Sequence, residues 1–512
     1  MKKHFLFWTI LLLTTTVINA QNKSAYTWIF GNNGQVASFS GDTSRPTTRQ
    51  LFWSGNSPNY PYIFSGGTSI ICDSITGRLL LLCDGMVLYD TLGNIIDNGD
   101  HLVPNSIYNR NTYPGEASSQ ASIILPKGNN GEYYVFITTA SDSMYATWLL
   151  PNATRTPNDL LLYNVVDMNA NGGMGKVIKK NMPLITHAEM GRTNMQACRH
   201  ANGVDWWLLK KSGYETNEIT RFLVTKDSIY GPFKQNFSFP DFSNYDATGQ
   251  MAFSKDGKKY ASLQGKGTQL FMADFDRCSG ELKNPKVFNM PIDSTHYLPF
   301  DSMGWRDSIS GGGGFSPNGQ FFYVSKFFNL YQFEFKELDS ALAWVNIKAG
   351  ADTTWNAFEY YNFLQLGVDG RFYIGKVAGG FKQLSVIDYP NLKGSACGFC
   401  RKCLRIDNGG GGSTAPPNVP DFNLGADVSM LPCAPLSNVE FLNLNDELVV
   451  YPNPASSKIV VRFQKSDVRK ELYNSVGQMV LSTKEDDIDV SKLAKGMYYL
   501  RCKNEVKKVV IE

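Results

Sequence analysis

The sequence predicts an all-β protein, a β-propeller of about seven blades followed by a small immunoglobulin-like β-sandwich. Three observations carry this expectation. An apolar strand, a polar turn ending in Gly and an aromatic or β-branched strand recur at intervals of 51 to 72 residues. The chain contains 13% aromatic residues and 46 glycines, a balance of strand formers and turn formers. From residue 446 onward the interval is lost, and short alternating strands such as IVVRF and YYLRC follow.

The N-terminus comes first. Residues 1–20 read MKKHFLFWTILLLTTTVINA, with two lysines, an apolar run from Phe5 to Ile18, and Asn19-Ala20 ahead of Gln21. This is the layout of a secretory signal peptide, with cleavage expected between Ala20 and Gln21. The apolar run is shorter than the roughly 20 residues a membrane-spanning helix needs, and no later stretch approaches it. No transmembrane helix is therefore expected once the signal is removed. The formal charge of +3 falls to +1 without the two leader lysines, which leaves no net field to attract nucleic acid.

The repeat follows. Its clearest copies are MAFSKDGKKYASL from Met251, GGFSPNGQFFYVSK from Gly313 and LQLGVDGRFYIGK from Leu364, with looser ones from Ser69, Ala121 and Met195. The turn glycines are Gly77, Gly131, Gly203, Gly257, Gly319 and Gly370. A tight hairpin turn needs a positive φ, which Gly adopts without steric cost. A lone hairpin cannot bury its faces, so units with room for four strands are expected to stack into a propeller. Tyr26 to Phe39 has strand character without such a turn. It is expected to complete a last blade together with strands near Leu384 to Ile387 and Leu404 to Ile406. The propeller is placed at 21–425, after a polar loop over Gly409 to Pro417. A linker is placed at 426–445, and the β-sandwich at 446–512, where Gly477 and Gly496 mark turns.

At this point the chain becomes recognisable. WIFGNN at Trp28, ILPKG at Ile124, NVVDMNANGGMG at Asn164, HANGVDWW at His200 and the FSPNG-type turns resemble a family of secreted, WD-repeat-like propeller proteins of Bacteroidota. The resemblance implies a propeller and a surface context, and no known reaction. Tyr451-Pro452-Asn453-Pro454-Ala455, Leu472-Tyr473-Asn474 with Val476-Gly477, and Leu493-Ala494-Lys495-Gly496-Met497-Tyr498 closely resemble the type A sorting domain of type IX secretion cargo. That resemblance implies Sec export to the periplasm and then recognition of this domain by the type IX secretion machinery. The destination it implies is secretion or the outer-membrane surface.

Nine cysteines in an exported chain point to partial disulfide use. Cys397, Cys400, Cys403 and Cys433 are the disulfide candidates, and Cys397 or Cys400 with Cys433 would pin the last blade to the linker. A ferredoxin-type ligand run would need a fourth cysteine at its usual spacing, which is missing. Cys502 shares the face of Leu500 and reads as a buried thiol.

Catalytic signatures are not found: there is no G-x-S-x-G and no H-E-x-x-H, and beyond the leader the histidines are His101, His187, His200 and His296. His200, beside Asn202-Gly203, reads as a turn-stabilising residue. Asp167 to Gly172 matches the opening of a calcium loop, but Ile178 stands where a bidentate Glu belongs, so a turn held by Asn and Asp side chains is expected. Adjacent strand residues point to opposite faces, so one of Trp206-Trp207 and one of Phe327-Phe328 is expected in the core and the other to be free for stacking. No catalytic residue, metal or cofactor is assigned. The functional expectation is a module that binds a protein or glycan on a face or in the channel of the ring. The alternatives are a carbohydrate-active hydrolase or lyase at the propeller mouth, or a structural envelope or gliding-associated protein.

Overall fold

In a computed structural model of the full chain, the described residues are 21–32, 35–42, 44–50, 63–64, 67–109, 120–149, 158–186, 188, 190–212, 218–238, 249–264, 269–291, 311–326, 329–335, 344–348, 360–377, 383–405, 415–430, 433, 448–451, 453–462, 468–502 and 505–511. Ala20, His187, His296, Phe327, Phe328 and Pro452 lie outside them.

The described chain is all-β, with helix limited to a few short segments. Sheet one holds β1 (Thr27–Asn32), β2 (Gln35–Ser38), β3 (Thr47–Gln50) and β4 (Ile63–Phe64), in the order β3-β2-β1-β4. Sheets two to seven are meanders in sequence order. Sheet two is β5 (Ser69–Cys72), β6 (Leu79–Cys83) and β7 (Leu88–Tyr89). Sheet three is β8 (Ser122–Pro126), β9 (Glu132–Thr139), β10 (Leu160–Asp167) and β11 (Lys176–Ile185). Sheet four is β12 (Met190–Arg199), β13 (Trp206–Ser212), β14 (Glu218–Val224) and β15 (Ile229–Asn236). Sheet five is β16 (Met251–Phe253), β17 (Lys259–Gln264), β18 (Gln269–Phe275) and β19 (Leu282–Asn289). Sheet six is β20 (Gly313–Phe315), β21 (Phe321–Lys326), β22 (Asn329–Glu334) and β23 (Trp344–Lys348). Sheet seven is β24 (Tyr360–Leu366), β25 (Phe372–Val377), β26 (Gln383–Ile387) and β27 (Phe399–Arg405).

The six turn glycines sit in the first hairpins of sheets two to seven, each with φ between 68° and 80°. At Gly203 a side chain would also meet the Ala426 backbone, since a Cβ there would lie 2.7 Å from its nitrogen. First strands pack side by side, β5 on β8, β8 on β12, β12 on β16, β16 on β20 and β20 on β24. Between successive sheets lie apolar layers, such as Trp207 with Tyr260 and Phe271, and Tyr323 with Phe372. This is a propeller-like arrangement.

Sheet seven packs on sheet one. Tyr373 meets Trp28 and Phe39 edge-on at 5.6 and 5.7 Å. Arg45 is paired with Asp388, and the Thr48 hydroxyl donates to the Arg405 carbonyl at 2.8 Å. The expected closure by shared strands is therefore corrected. Residues 27–38 pair within sheet one, residues 384–387 and 404–405 pair within sheet seven, and the two sheets meet through side chains. The expectation for the tryptophan pair is corrected as well: Trp206 and Trp207 are both buried, at 1% and 0% exposure. A sheet covered on both faces has no solvent side for alternation to reach.

Beyond residue 447, β28 (Val449–Tyr451), β29 (Lys458–Arg462) and β32 (Asp487–Asp489) make one sheet. The sheet β31-β30-β33-β34 is built from β30 (Lys470–Asn474), β31 (Met479–Thr483), β33 (Gly496–Cys502) and β34 (Glu505–Ile511). Ile459, Val461 and Ile488 of the first sheet share a core with Leu472, Leu500, Cys502 and Val509 of the second. Cys502 is a buried thiol outside the disulfides.

Candidate functional site

The first strands of sheets two to four are bridged by a later segment of the chain, the strap. Ala415 to Pro420 are buried, although the polar loop was expected to run to Pro417. Asn418 is the centre of the contact. Its backbone N–H donates to the Thr68 carbonyl at 2.8 Å. Its side-chain amide donates to the carbonyls of Ser122 and Met195 at 2.9 and 3.1 Å, and its Oδ1 accepts from Gln196 at 2.8 Å. These partners lie on or beside the first strands of sheets two, three and four.

From there the strap crosses the turns of sheets four and five. Phe422 packs edge-on against Trp206 at 5.7 Å, and the Arg199 guanidinium lies 3.9 Å from the centroid of the same ring. Arg277 donates to the Gly425 carbonyl, and the Asp427 N–H donates to Ala201 at 2.9 Å. Lys255 pairs with Asp421 at 2.8 Å and Lys258 with Asp427 at 3.2 Å. The strap ends in a disulfide between Cys433 and Cys278. This corrects the expected partners of Cys433, because the strap leaves the axis over sheets four and five and not over sheet seven. Cys400 and Cys403 pair with each other along β27. Cys397 is a buried free thiol.

Beside the strap lies a cleft of about 120 Å³, bordered by β12, β16, β20, the turn after β24 and residues 419–424. Small-molecule pockets are usually roughly 300–1,000 Å³, so the cleft suits a few waters better than a substrate. Two of its glutamines are engaged. Gln120 donates to the Met251 carbonyl at 2.8 Å and accepts from the Met251 N–H at 2.9 Å. Gln250 Oε1 accepts from Gly313 and Leu364 at 3.2 and 3.0 Å. Among the described residues, the one carboxylate bordering the cleft is Asp421, already paired with Lys255.

Other residues singled out from the sequence have structural surroundings. The two ring nitrogens of His200 face the Cys278 carbonyl and the Asn202 N–H, each at 3.1 Å. Asp167 accepts from the Asn169 N–H at 2.8 Å, and the Asn169 amide reaches the Asn130 carbonyl at 2.7 Å. Sequence reading missed several buried ionisable groups, Asp84, Lys210 and Lys211 among them. Burial pushes the Asp84 carboxyl up to about 6, against the pull of bonds from the N–H groups of Met86 and Val87 and from the Tyr89 hydroxyl. Burial drives the Lys210 ammonium well below its ordinary value. It donates to the carbonyls of Gly191 and Thr193, in a four-residue bulge of β12 opposite Lys211. The thiols of Cys72, Cys83 and Cys198 are pushed up to about 12 by burial, which makes them unreactive.

In the C-terminal unit the motif residues hold strands together. Tyr451 ends β28. The Asn453 amide donates to the Lys508 carbonyl at 2.7 Å and accepts from the Val510 N–H at 2.8 Å, clamping β34. Pro454 precedes Ala455, whose N–H donates to Val510 at 2.9 Å. Gly477, at φ 80°, turns β30 into β31, and Gly496 opens β33. The Tyr498 hydroxyl donates to the Ala494 carbonyl at 2.7 Å. The Secretion system C-terminal sorting domain family matches residues 449–512. This unit is a type IX sorting domain. A sorting domain of this kind marks its chain for export to a secreted or cell-surface location. Among the described residues, no helix is long and apolar enough to cross a membrane.

No curated protein matches the chain. Solved structures similar to it include the periplasmic gluconolactonase PpgL of Pseudomonas aeruginosa, 12% identical, with 78% of this chain and 100% of that one covered at a TM-score of 0.39. The Dos1 propeller is 11% identical, with 77% and 86% covered and a TM-score of 0.37. Apo AztD from Citrobacter koseri is 11% identical, with 77% and 98% covered and a TM-score of 0.35. At this level of likeness no activity passes to this chain.

Proposed function

We propose that this chain is an exported surface or secreted β-propeller of seven blades that works as a binding module. Sheets one to seven are its blades, the signal is cleaved between Ala20 and Gln21, and the C-terminal unit is an immunoglobulin-like sandwich read by the type IX machinery. The setting is the envelope of a bacterium of the Bacteroidota type. The ligand is a protein or a glycan, held on the outer surfaces of the ring. The observation that carries this reading is the sorting domain joined to a set of packed sheets whose first strands are bridged by the strap through Asn418. Glycoside hydrolysis would need a free pair of carboxylates, and the described border of the axial cleft offers one, already paired with Lys255. The strap also extends the functional unit beyond residue 425, to Cys433.

The test is to apply the mature protein to glycan arrays and to outer-membrane fractions of the source cell, with glycoside and lactone turnover assayed alongside. Saturable binding without turnover is expected. Turnover without any bound ligand would overturn the proposal.

A further inference from the structure

The contact between strap and axis has the chemistry of peptide recognition. Asn418 adopts an extended course, bridged in parallel to Ser69, and every hydrogen-bonding atom of its carboxamide group meets a partner from the ring. An aspartate there would set a carboxylate against two carbonyl oxygens. A leucine would leave those carbonyls and the Gln196 amide without their partner, which is costly in a buried site. The neighbours Pro416, Pro417 and Pro420 have no N–H to satisfy and favour an extended backbone, so little freedom is lost on binding. The Cys278–Cys433 disulfide then holds the strap at high effective concentration.

We infer that the axis of the ring is a polypeptide-binding site that reads an asparagine carboxamide in a proline-flanked extended segment, and that the strap occupies it in cis. A second polypeptide of the same chemistry enters when the strap is displaced. This is separate from whatever the outside of the ring binds, so either reading can fail alone.

The test uses the full mature chain and a fluorescein-labelled peptide of the strap sequence APPNVPDFNL, residues 415–424. The double variant Asn418→Leu with Cys433→Ser is expected to bind this peptide at least tenfold more tightly than the wild-type chain does, by fluorescence polarisation. A peptide with Leu in place of Asn is expected to bind that variant at least tenfold more weakly, a factor equal to about 1.4 kcal/mol. Equal affinity for the two peptides, or none for either by the folded variant, overturns the inference. If the variant does not fold, native-state hydrogen exchange on the wild-type chain decides. The amides of Asn418 and Asp427 are expected to open as a unit separate from those of β8 and β12 and at lower energy. One common opening would show the strap to be part of the core and overturn the inference.

Discussion

Removing the Arg45 guanidinium tests whether side chains close the ring. Arg45 directs two N–H groups at Asp388, at 2.6 and 3.1 Å, and a third at the Cys403 carbonyl at 3.4 Å. Asp388 also accepts from Arg371 at 2.9 Å. Hydrogen bonds to charged groups contribute roughly 1.5–3 kcal/mol each. The Arg45 side chain retains 33% of its exposure, so screening reduces the pair's worth. Arg45→Ala is therefore expected to cost about 2 kcal/mol, with about 1–2 kcal/mol of coupling to Asp388→Ala in a double-mutant cycle. Urea unfolding followed by tryptophan fluorescence reads the ring alone, because residues 446–512 contain no tryptophan. Burial alone would raise the Asp388 carboxyl, but the Arg45 and Arg371 guanidiniums outweigh it and hold the group below its usual range. Its stabilisation is thus present above the ordinary carboxylate pKa and is lost as pH falls through the lower folded value. Arg45→Ala should accordingly flatten the acid limb of the stability curve. A loss under about 0.5 kcal/mol, or a strictly additive cycle, would refute closure through this pair.

Three further outcomes are expected. The Cys278–Cys433 disulfide spans 155 residues, for which the chain-entropy relation gives about 5 kcal/mol as an upper figure. Cys433→Ser should lower the stability of the oxidised ring by about 2–5 kcal/mol in urea, and an unchanged midpoint would exclude the bond. Asp84 is raised to about 6 by burial, so its stabilisation is full below the ordinary carboxylate pKa and is lost as pH rises through about 6. Between pH 4 and 8 the wild-type chain should lose up to about 3 kcal/mol relative to Asp84→Asn, and parallel melting curves would contradict this. Asn453→Ala removes both bonds that clamp β34 and should cost the sorting domain about 1–2 kcal/mol. Undiminished exchange protection of the Val510 amide would show that the clamp is not needed.

The features legible in the sequence were those whose cause is local. A hairpin turn imposes its own demand for positive φ, so Gly77 and the five glycines after it could be picked out one at a time. The sorting motif is legible for a similar reason: Asn453 and Tyr498 bond within their own small unit. Long-range features were not legible. Trp28 and Tyr373 meet although most of the sequence of the packed sheets lies between them, and no alternation or turn signal joins them. Cys433 took the partner that the path of the strap brought near, and sequence spacing could not reveal that path. The residues before Asn418 read as a loop because Gly, Ser and Pro discourage regular pairing. The same prolines suit a segment that must be buried with few donors of its own.

A set of packed sheets creates a problem where its first strands meet, because in sheets two to seven the first strand is an edge strand and buried carbonyl and N–H groups there need partners. A barrel removes such edges by closing its hydrogen bonds, which separate sheets cannot do. This chain meets the need with carboxamides, each able to donate and accept. Gln120 spans from sheet three to sheet five, and Gln250 from sheet five to sheets six and seven. Asn418 serves sheets two to four. The glutamines are built into the ring and cannot leave. Asn418 arrives on a separate segment, so its third of the axis is the one place where an outside chain can supply the same group without breaking a sheet. Gln250→Leu should therefore destabilise the ring itself, whereas Asn418→Leu should chiefly loosen the strap, and the contrast can be read by tryptophan fluorescence and by exchange at Asn418.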